Sequence, residues 1–382
     1  MDEEKVMKKI LYVANQRLPT EKAYGIQITK MCEAFSNSGE EVVLMSPYRI
    51  SRIKSNLFEY YDVKSNFKFK KIFSPDFYLP GKLDWLAFQI KNIISASVLA
   101  IYVLIHRPDV VYSRDELPLY LLSFFKKKLI FEAHKFSERR HFFYKRLKKK
   151  SIKVVAISNG IKNEFVKAGF LPDEILVSPD AVDLEKFDIN ISKDEARNQV
   201  GLPIDNKIAL YSGHLFKWKG IDTLMEAALL LKDIILVFLG GTERDIKNFR
   251  ALSKAKNISN ILFLGHRPHW QVPLFLKAAD TLIVSNKKEE KISEFYTSPL
   301  KLFEYMASRR PIIASNVPSI REILDEDSAI FFRPGNSKEL AAAIRKVIED
   351  KDLGLSISTK AFERVKDYTW IKRAKNILTF IY

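Results

Sequence analysis

The 382-residue chain holds a single cysteine, Cys32, which excludes a disulfide framework and suits a reducing compartment. Cys32 falls in a helical apolar pattern with Ile28 and Phe35, so it reads as core and not as a nucleophile. Six histidines stand without metal-ligand spacing and no paired-aspartate metal motif is present, so no metal site is expected. Internal repeats, low-complexity tracts and heptad arrays are also missing. Met1–Lys9 is charged and Ile10–Ala14 is too short for a secretory core, so no signal peptide is read and a cytoplasmic location is expected. Acid is the scarce charge: 46 Asp and Glu face 63 Lys and Arg, for a net charge of +17.

What is present describes a globular protein with full cores. Hydrophobic residues make up 47% of the chain and charged residues 29%, and the length suggests two domains. The positive excess is spread over both halves: 31 basic against 22 acidic residues in 1–185, and 32 against 24 in 186–382. Locally it gathers with aromatics in Arg139–Lys150 (R-R-H-F-F-Y-K-R-L-K-K-K) and in Phe67–Lys71 (F-K-F-K-K). Such stretches are either solvated basic faces or contacts to an anionic surface, a membrane included. No nucleic-acid fold signature accompanies them, and nucleic acid is not an expected partner.

Short apolar runs alternate with helical patterns throughout, which predicts an α/β chain of doubly wound parallel sheets. Lys9–Ala14 reads as the first strand, Asn15–Gly25 as a loop carrying Tyr24 and Gly25, Ile26–Ser38 as a helix, and Glu41–Met45 as the next strand. Asp84–His106 is long and apolar enough to suit a membrane span. Gln89, Lys91 and Asn92 interrupt it, and it is expected to be a buried helix packed on the sheet. Leu129–Glu132 reads as a strand ending at Ala133-His134, which places His134 at the carboxyl edge where open α/β sheets bind ligands.

Two stretches in the second half carry chemistry. Leu210–Ala227 reads as strand, glycine turn, basic loop and helix, with Gly213 at the turn, Lys217 and Lys219 in the loop and Gly220 opening the helix; this suits phosphate. Tyr296–Ser315 begins with Thr297, Ser298, Pro299 and Leu300. Ser298 is the expected N-cap and Pro299 the first helical residue. The free N–H groups of the first turn, the helix dipole, the two hydroxyls and Lys301 make an anion site. Glu304, deeper in the helix, is suited to accept two hydrogen bonds from a vicinal diol such as a ribose. The bland alternative for each stretch is a well-capped amphipathic helix or a solvated lysine loop.

Together G-H-L-F-K-W-K-G (Gly213–Gly220) and S-P-L-K-L-F-E-Y-M-A (Ser298–Ala307) resemble the family 4 retaining glycosyltransferases of the GT-B fold, and the likeness extends over nearly the whole chain. The resemblance implies two Rossmann-like domains facing across a cleft: residues 1–185 on the acceptor side, 186–366 binding a nucleotide-sugar donor, and 367–382 packing back on the first domain. It implies catalytic roles for His134, Lys219 and Glu304. The donor phosphates would meet Gly213, His214, Lys219, Thr297, Ser298, Pro299, Leu300 and Lys301, and the ribose would meet Glu304. The base would lie on Gly265, His266 and Arg267, and the acceptor-side loop would carry Tyr24 and Gly25. The donor would be UDP- or GDP-linked, the acceptor a glycan or a lipid-linked molecule, with no metal or cofactor and a location in the cytoplasm, at the inner face of the membrane. The chain departs from the family pattern at His214, where Arg is usual, and at Tyr296, where the first Glu of Glu-x7-Glu would stand. It also has Asp180 and Ala181 in the interdomain motif Pro179–Phe187. The alternatives are a non-catalytic relative that binds an anionic polymer and another nucleotide-sugar enzyme such as an epimerase.

Overall fold

A computed structural model describes residues 7–51, 53–126 and 128–382. The chain divides into two compact units, one of Met1–Pro179 with Trp370–Tyr382 and one of Asp180–Thr369.

The first unit contains a seven-stranded sheet of β1 (Lys9–Val13), β2 (Glu41–Pro47), β3 (Lys68–Ile72), β4 (Val110–Ser113), β5 (Leu129–Ala133), β6 (Lys153–Ala156) and β7 (Ile175–Val177). All pairs are parallel, in the order β3-β2-β1-β4-β5-β6-β7. Parallel neighbours need crossovers, and helices supply them. The five inner strands β2, β1, β4, β5 and β6 are almost wholly buried, as their unbroken apolar runs require. The edge strand β3 reads K-F-K-K-I and exposes its lysines, a charged edge that resists further pairing. The final helix, Trp370–Ile381, packs against the helix Ala23–Asn37.

The second unit repeats the plan with β8 (Lys207–Ser212), β9 (Ile234–Leu239), β10 (Ile261–Gly265), β11 (Thr281–Val284), β12 (Ile312–Ser315) and β13 (Ile330–Phe332). Its order is β10-β9-β8-β11-β12-β13, again all parallel. Strand order reverses between β8 and β11, the switch point at whose carboxyl ends ligands bind in such folds. Alternate residues of each strand feed two cores. Ile208, Leu210 and Ile312 join one with Leu302 and Phe303, while Ala209, Tyr211 and Ile313 join the other with Leu224 and Ile344.

Two sequence expectations need correction. The helix Ala23–Asn37 starts earlier than expected, so Tyr24 and Gly25 lie in its first turn and not in a loop. Tyr61 holds the chain just before this start, its hydroxyl accepting from Thr20 N–H at 2.7 Å and donating to Thr20 O at 2.8 Å. A methyl group on Gly25 would stand 2.0 Å from that hydroxyl, so the position is glycine for close approach. Asp84–His106 is one helix, as read, but it is not buried: only 33% of its most apolar window is covered.

Candidate functional site

In the second unit the chain turns sharply where β8 ends. Gly213 has φ +127°, a region closed to most side chains, and its N–H donates to Leu239 O at 2.8 Å. Lys217–Lys219 then form a single 3-10 turn. Gly220, at φ +72°, starts the helix Ile221–Leu230, and a methyl group there would meet Ser285 O at 2.0 Å. The turn points its two lysines differently. Lys217 is exposed, while Lys219 runs back over the faces of Trp218 and Phe216 toward Gly213.

Lys301 arrives at the same place from the helix Leu300–Ala307. It is buried, donates to Ser212 O at 3.0 Å and lies over the Tyr211 ring, 3.7 Å from its centroid. A methyl group built on Gly213 would stand 3.7 Å from Lys301 Nζ and 3.8 Å from Lys219 Nζ. Two ammoniums thus converge on one bare backbone turn. Burial pushes Lys219 down to about 8. Burial also holds Lys301 well below its ordinary value, with the charge of Lys219 adding to the effect and that of Glu304 opposing it. An anion at this turn would relieve both.

Glu304 follows one turn later, buried, with Oε1 2.8 Å from Nε2 of His269. The carboxylate can only accept, so the ring nitrogen donates, which fixes the orientation of Glu304. Tyr305 braces the same strand end: its hydroxyl accepts from Ser212 N–H at 2.7 Å and donates to Ser212 Oγ at 3.2 Å. Neither His269 nor Tyr305 was among the sequence candidates. His269 is 35 residues from its partner and sits in a different local pattern, so no spacing rule could pair them.

The expected N-cap is wrong. The helix Leu300–Ala307 is capped by Pro299, without a side-chain hydrogen bond. Ser298 is buried and its Oγ instead accepts from Asp180 N–H at 2.8 Å. That hydroxyl is engaged with the Asp180 backbone, whereas Thr297, Pro299 and Leu300 remain partly accessible beside the helix start. The imidazole of His214 stacks on Phe216 with centroids 5.1 Å apart. Tyr296 is a buried phenol where the family motif would have a carboxylate, and Glu294 closes a separate short helix, Lys291–Glu294. Gly265 ends β10 and its carbonyl accepts from Gly240 N–H at 2.8 Å, while His266 and Arg267 are exposed beyond it.

His134 belongs to the first unit. Its Nε2 lies 2.9 Å from Oε1 of Glu132, a fully buried carboxylate that also accepts from Arg373 at 2.7 Å and from Gln27 at 2.5 Å. Burial chiefly lowers His134 to about 4, with Arg114 adding and Glu132 opposing, so the ring is neutral at pH 7. Burial would raise Glu132, but Arg373 and the His134 hydrogen bond reverse this and hold it well below the usual carboxylate range. Arg373 also donates to Pro179 O and Ser178 O. It comes from the last helix, another partner that local sequence could not reveal.

With this geometry in view, the chain can be set beside known proteins. Residues 192–364 match the family described as Glycosyl transferases group 1. A Bacillus subtilis (strain 168) protein, TuaC, named as a glycosyltransferase of teichuronic acid biosynthesis, is 24% identical over 90% of this chain and 86% of its own. The uncharacterized glycosyltransferase MJ1069 of Methanocaldococcus jannaschii is 27% identical over 66% of this chain and 68% of its own. Among solved structures, Anabaena Alr3699/HepE in complex with UDP and glucose superposes with a TM-score of 0.75 at 17% identity, covering 97% of this chain and 98% of that one. A glycosyltransferase from Rickettsia africae ESF-5 gives 0.77 at 18% identity over 98% of both chains. At these identities the structures speak for the fold, and the sequence matches speak for the activity. The chain is a glycosyltransferase with the GT-B fold, and its residues 192–364 match the group 1 family.

Proposed function

We propose that the protein moves a sugar from a UDP- or GDP-linked donor to a glycan or lipid-linked acceptor, with retention of anomeric configuration and without a metal or cofactor. The observation that carries the donor reading is the convergence of Lys219 and Lys301 on the bare turn at Gly213. A diphosphate there gains two ammoniums and the start of the Leu300–Ala307 helix, and all three strengthen their hold as negative charge grows on the leaving group. Glu304, oriented by His269, takes the ribose hydroxyls. Gly265, His266 and Arg267 flank the base. The Anabaena structure, bound to UDP and glucose, supports this class of donor.

Retention rests on the family resemblance. The acceptor hydroxyl attacks the face from which the nucleotide leaves. The bond from C1 to the phosphate oxygen breaks, the bond from C1 to the acceptor oxygen forms, and the acceptor proton passes to the departing phosphate. Neutral His134, donating to Glu132, presents an uncharged edge suited to sugar hydroxyls. Relatives named for teichuronic acid and colanic acid biosynthesis, together with the basic stretches of the first unit, support a surface-polysaccharide acceptor met at the cytoplasmic face of the membrane.

The experiment is turnover of UDP- and GDP-sugars with lipid-linked glycan acceptors, the product anomer being read by proton NMR. The reading expects transfer with the donor's anomeric configuration kept. An inverted product would contradict the mechanism. Failure of every nucleotide to bind would favour a non-catalytic binder of anionic polymer.

A further inference from the structure

The helix Asp84–His106 carries large apolar residues on its solvent side. Its covered face mixes small and polar residues, among them Ala87, Lys91 and Ser95, with the aliphatic Leu99 and Val103. Large apolar side chains stand in solvent along the helix. Trp85 is 68% exposed, Phe88 57%, Ile93 54%, Ile101 57% and Ile105 70%. Leu86, Ile90, Ile93, Ile101 and Ile105 fall at helical spacing, so they form one stripe. A surface helix in water turns polar and charged residues outward, and an apolar patch on this scale marks a contact.

The covered face shows why the helix stays on the domain. Asn92 Oδ1 accepts from Asn15 Nδ2 at 2.6 Å, and Ser95 Oγ donates to Asn15 Oδ1 at 2.6 Å. Lys91 lies 3.5 Å from Asp76 and over the Tyr78 ring. The same helix packs along Glu116–Leu122. These bonds would all be lost if the helix left the domain to cross a bilayer.

The surroundings of the stripe are basic. Lys70 on the exposed edge strand β3 reaches the helix, its Nζ donating to Tyr102 Oη at 2.8 Å. Lys68, Lys71, Lys82 and Arg107 are exposed around it, and Phe73 (77% exposed) and Tyr78 (70%) stand on the loop before the helix. A second copy of the chain would bring this positive rim against itself. An anionic bilayer meets both features at once, with headgroups on the lysines and acyl chains on the isoleucines.

We propose that the Asp84–His106 helix lies in the plane of an anionic phospholipid membrane, with its isoleucine stripe inserted at the boundary between headgroups and acyl chains. This deepens the membrane reading given above from charge to insertion, and its test is independent of donor binding.

The test is flotation of the full chain with phosphatidylcholine vesicles, with and without phosphatidylglycerol, for the wild type and for Ile93→Asp/Ile101→Asp/Ile105→Asp. The three positions are solvent-exposed, so the variant should keep the wild-type melting temperature and nucleotide binding. The wild type should float with the anionic vesicles, and the variant should lose about tenfold or more in partitioning. Equal flotation of both, or none by the wild type, overturns the proposal. So does a wild-type dimer in light scattering that the variant dissolves without any vesicle binding. As a second readout, Ile101→Trp, which places a fluorophore on the stripe, should gain a blue-shifted emission with anionic vesicles. An Ile101→Trp emission that vesicles leave unmoved overturns insertion even if the triple variant fails to fold.

Discussion

Lys219 and Lys301 share one turn, and their closeness has a cost that an anion removes. With nothing bound, burial depresses both, Lys219 to about 8. A bound diphosphate favours the charged ammonium and raises that value, so binding takes up a proton wherever the free lysine is neutral. Affinity for a nucleoside diphosphate therefore falls as pH rises through about 8, where the free Lys219 loses its proton. Calorimetric titrations on either side of pH 8 check this, and a constant affinity would contradict it. At this scale the sequence was partly legible. Lys219, Lys301 and Glu304 follow from glycine and proline punctuation around two helix starts. Ser298 misled because a hydroxyl before a helix looks like a cap, whereas tertiary structure gives it the Asp180 N–H instead. His269 was invisible because its link to Glu304 exists only through the fold.

Elements show the same division. Every parallel strand with an unbroken apolar run was readable to within about two residues, because burial on both faces demands such runs. The strands β3 and β13 were missed: one is a lysine-rich edge and the other only three residues long. The Asp84–His106 helix was readable as a helix but not in its exposure, since apolar composition does not say which neighbour covers it. The Trp370–Ile381 helix is tied to the sheet of its unit through Arg373, which meets the buried Glu132. Replacing Arg373 by Met would leave that carboxylate without its ion-pair partner and should destabilise the protein by about 3–5 kcal/mol, measured by denaturant unfolding. Adding Glu132→Gln should recover most of the loss. Since the folded Glu132 is held below its ordinary value, the pair's contribution is present at neutral pH and fades as pH falls below the ordinary carboxylate range. An unchanged stability in Arg373→Met would show that the pair contributes nothing.

At the scale of the whole molecule, two sheets with the same switch-point order account for the fold; alternation of short apolar runs with helical patterns made the doubly wound class readable, but not the order of the strands. The net charge of +17 is the other global property. The helix His141–Lys149 concentrates part of it beside exposed Phe142. Replacing Lys145, Lys148, Lys149 and Lys150 by serine should weaken binding to anionic vesicles by about 1 kcal/mol for each lysine that reaches the surface, and the difference should shrink at high salt. Unchanged vesicle binding would remove this helix from the membrane contact. The central claim is that Lys219 and Glu304 hold a nucleoside diphosphate. Its most direct measurement is calorimetric titration of UDP, GDP and ADP, with the 2′,3′-dideoxy form of the tightest binder, into the wild type, Lys219→Ala and Glu304→Ala. The account predicts that one nucleotide binds the wild type, that each substitution costs about tenfold or more, and that Glu304→Ala costs nothing further for the dideoxy form. Nucleotide binding that survives both substitutions undiminished would contradict it.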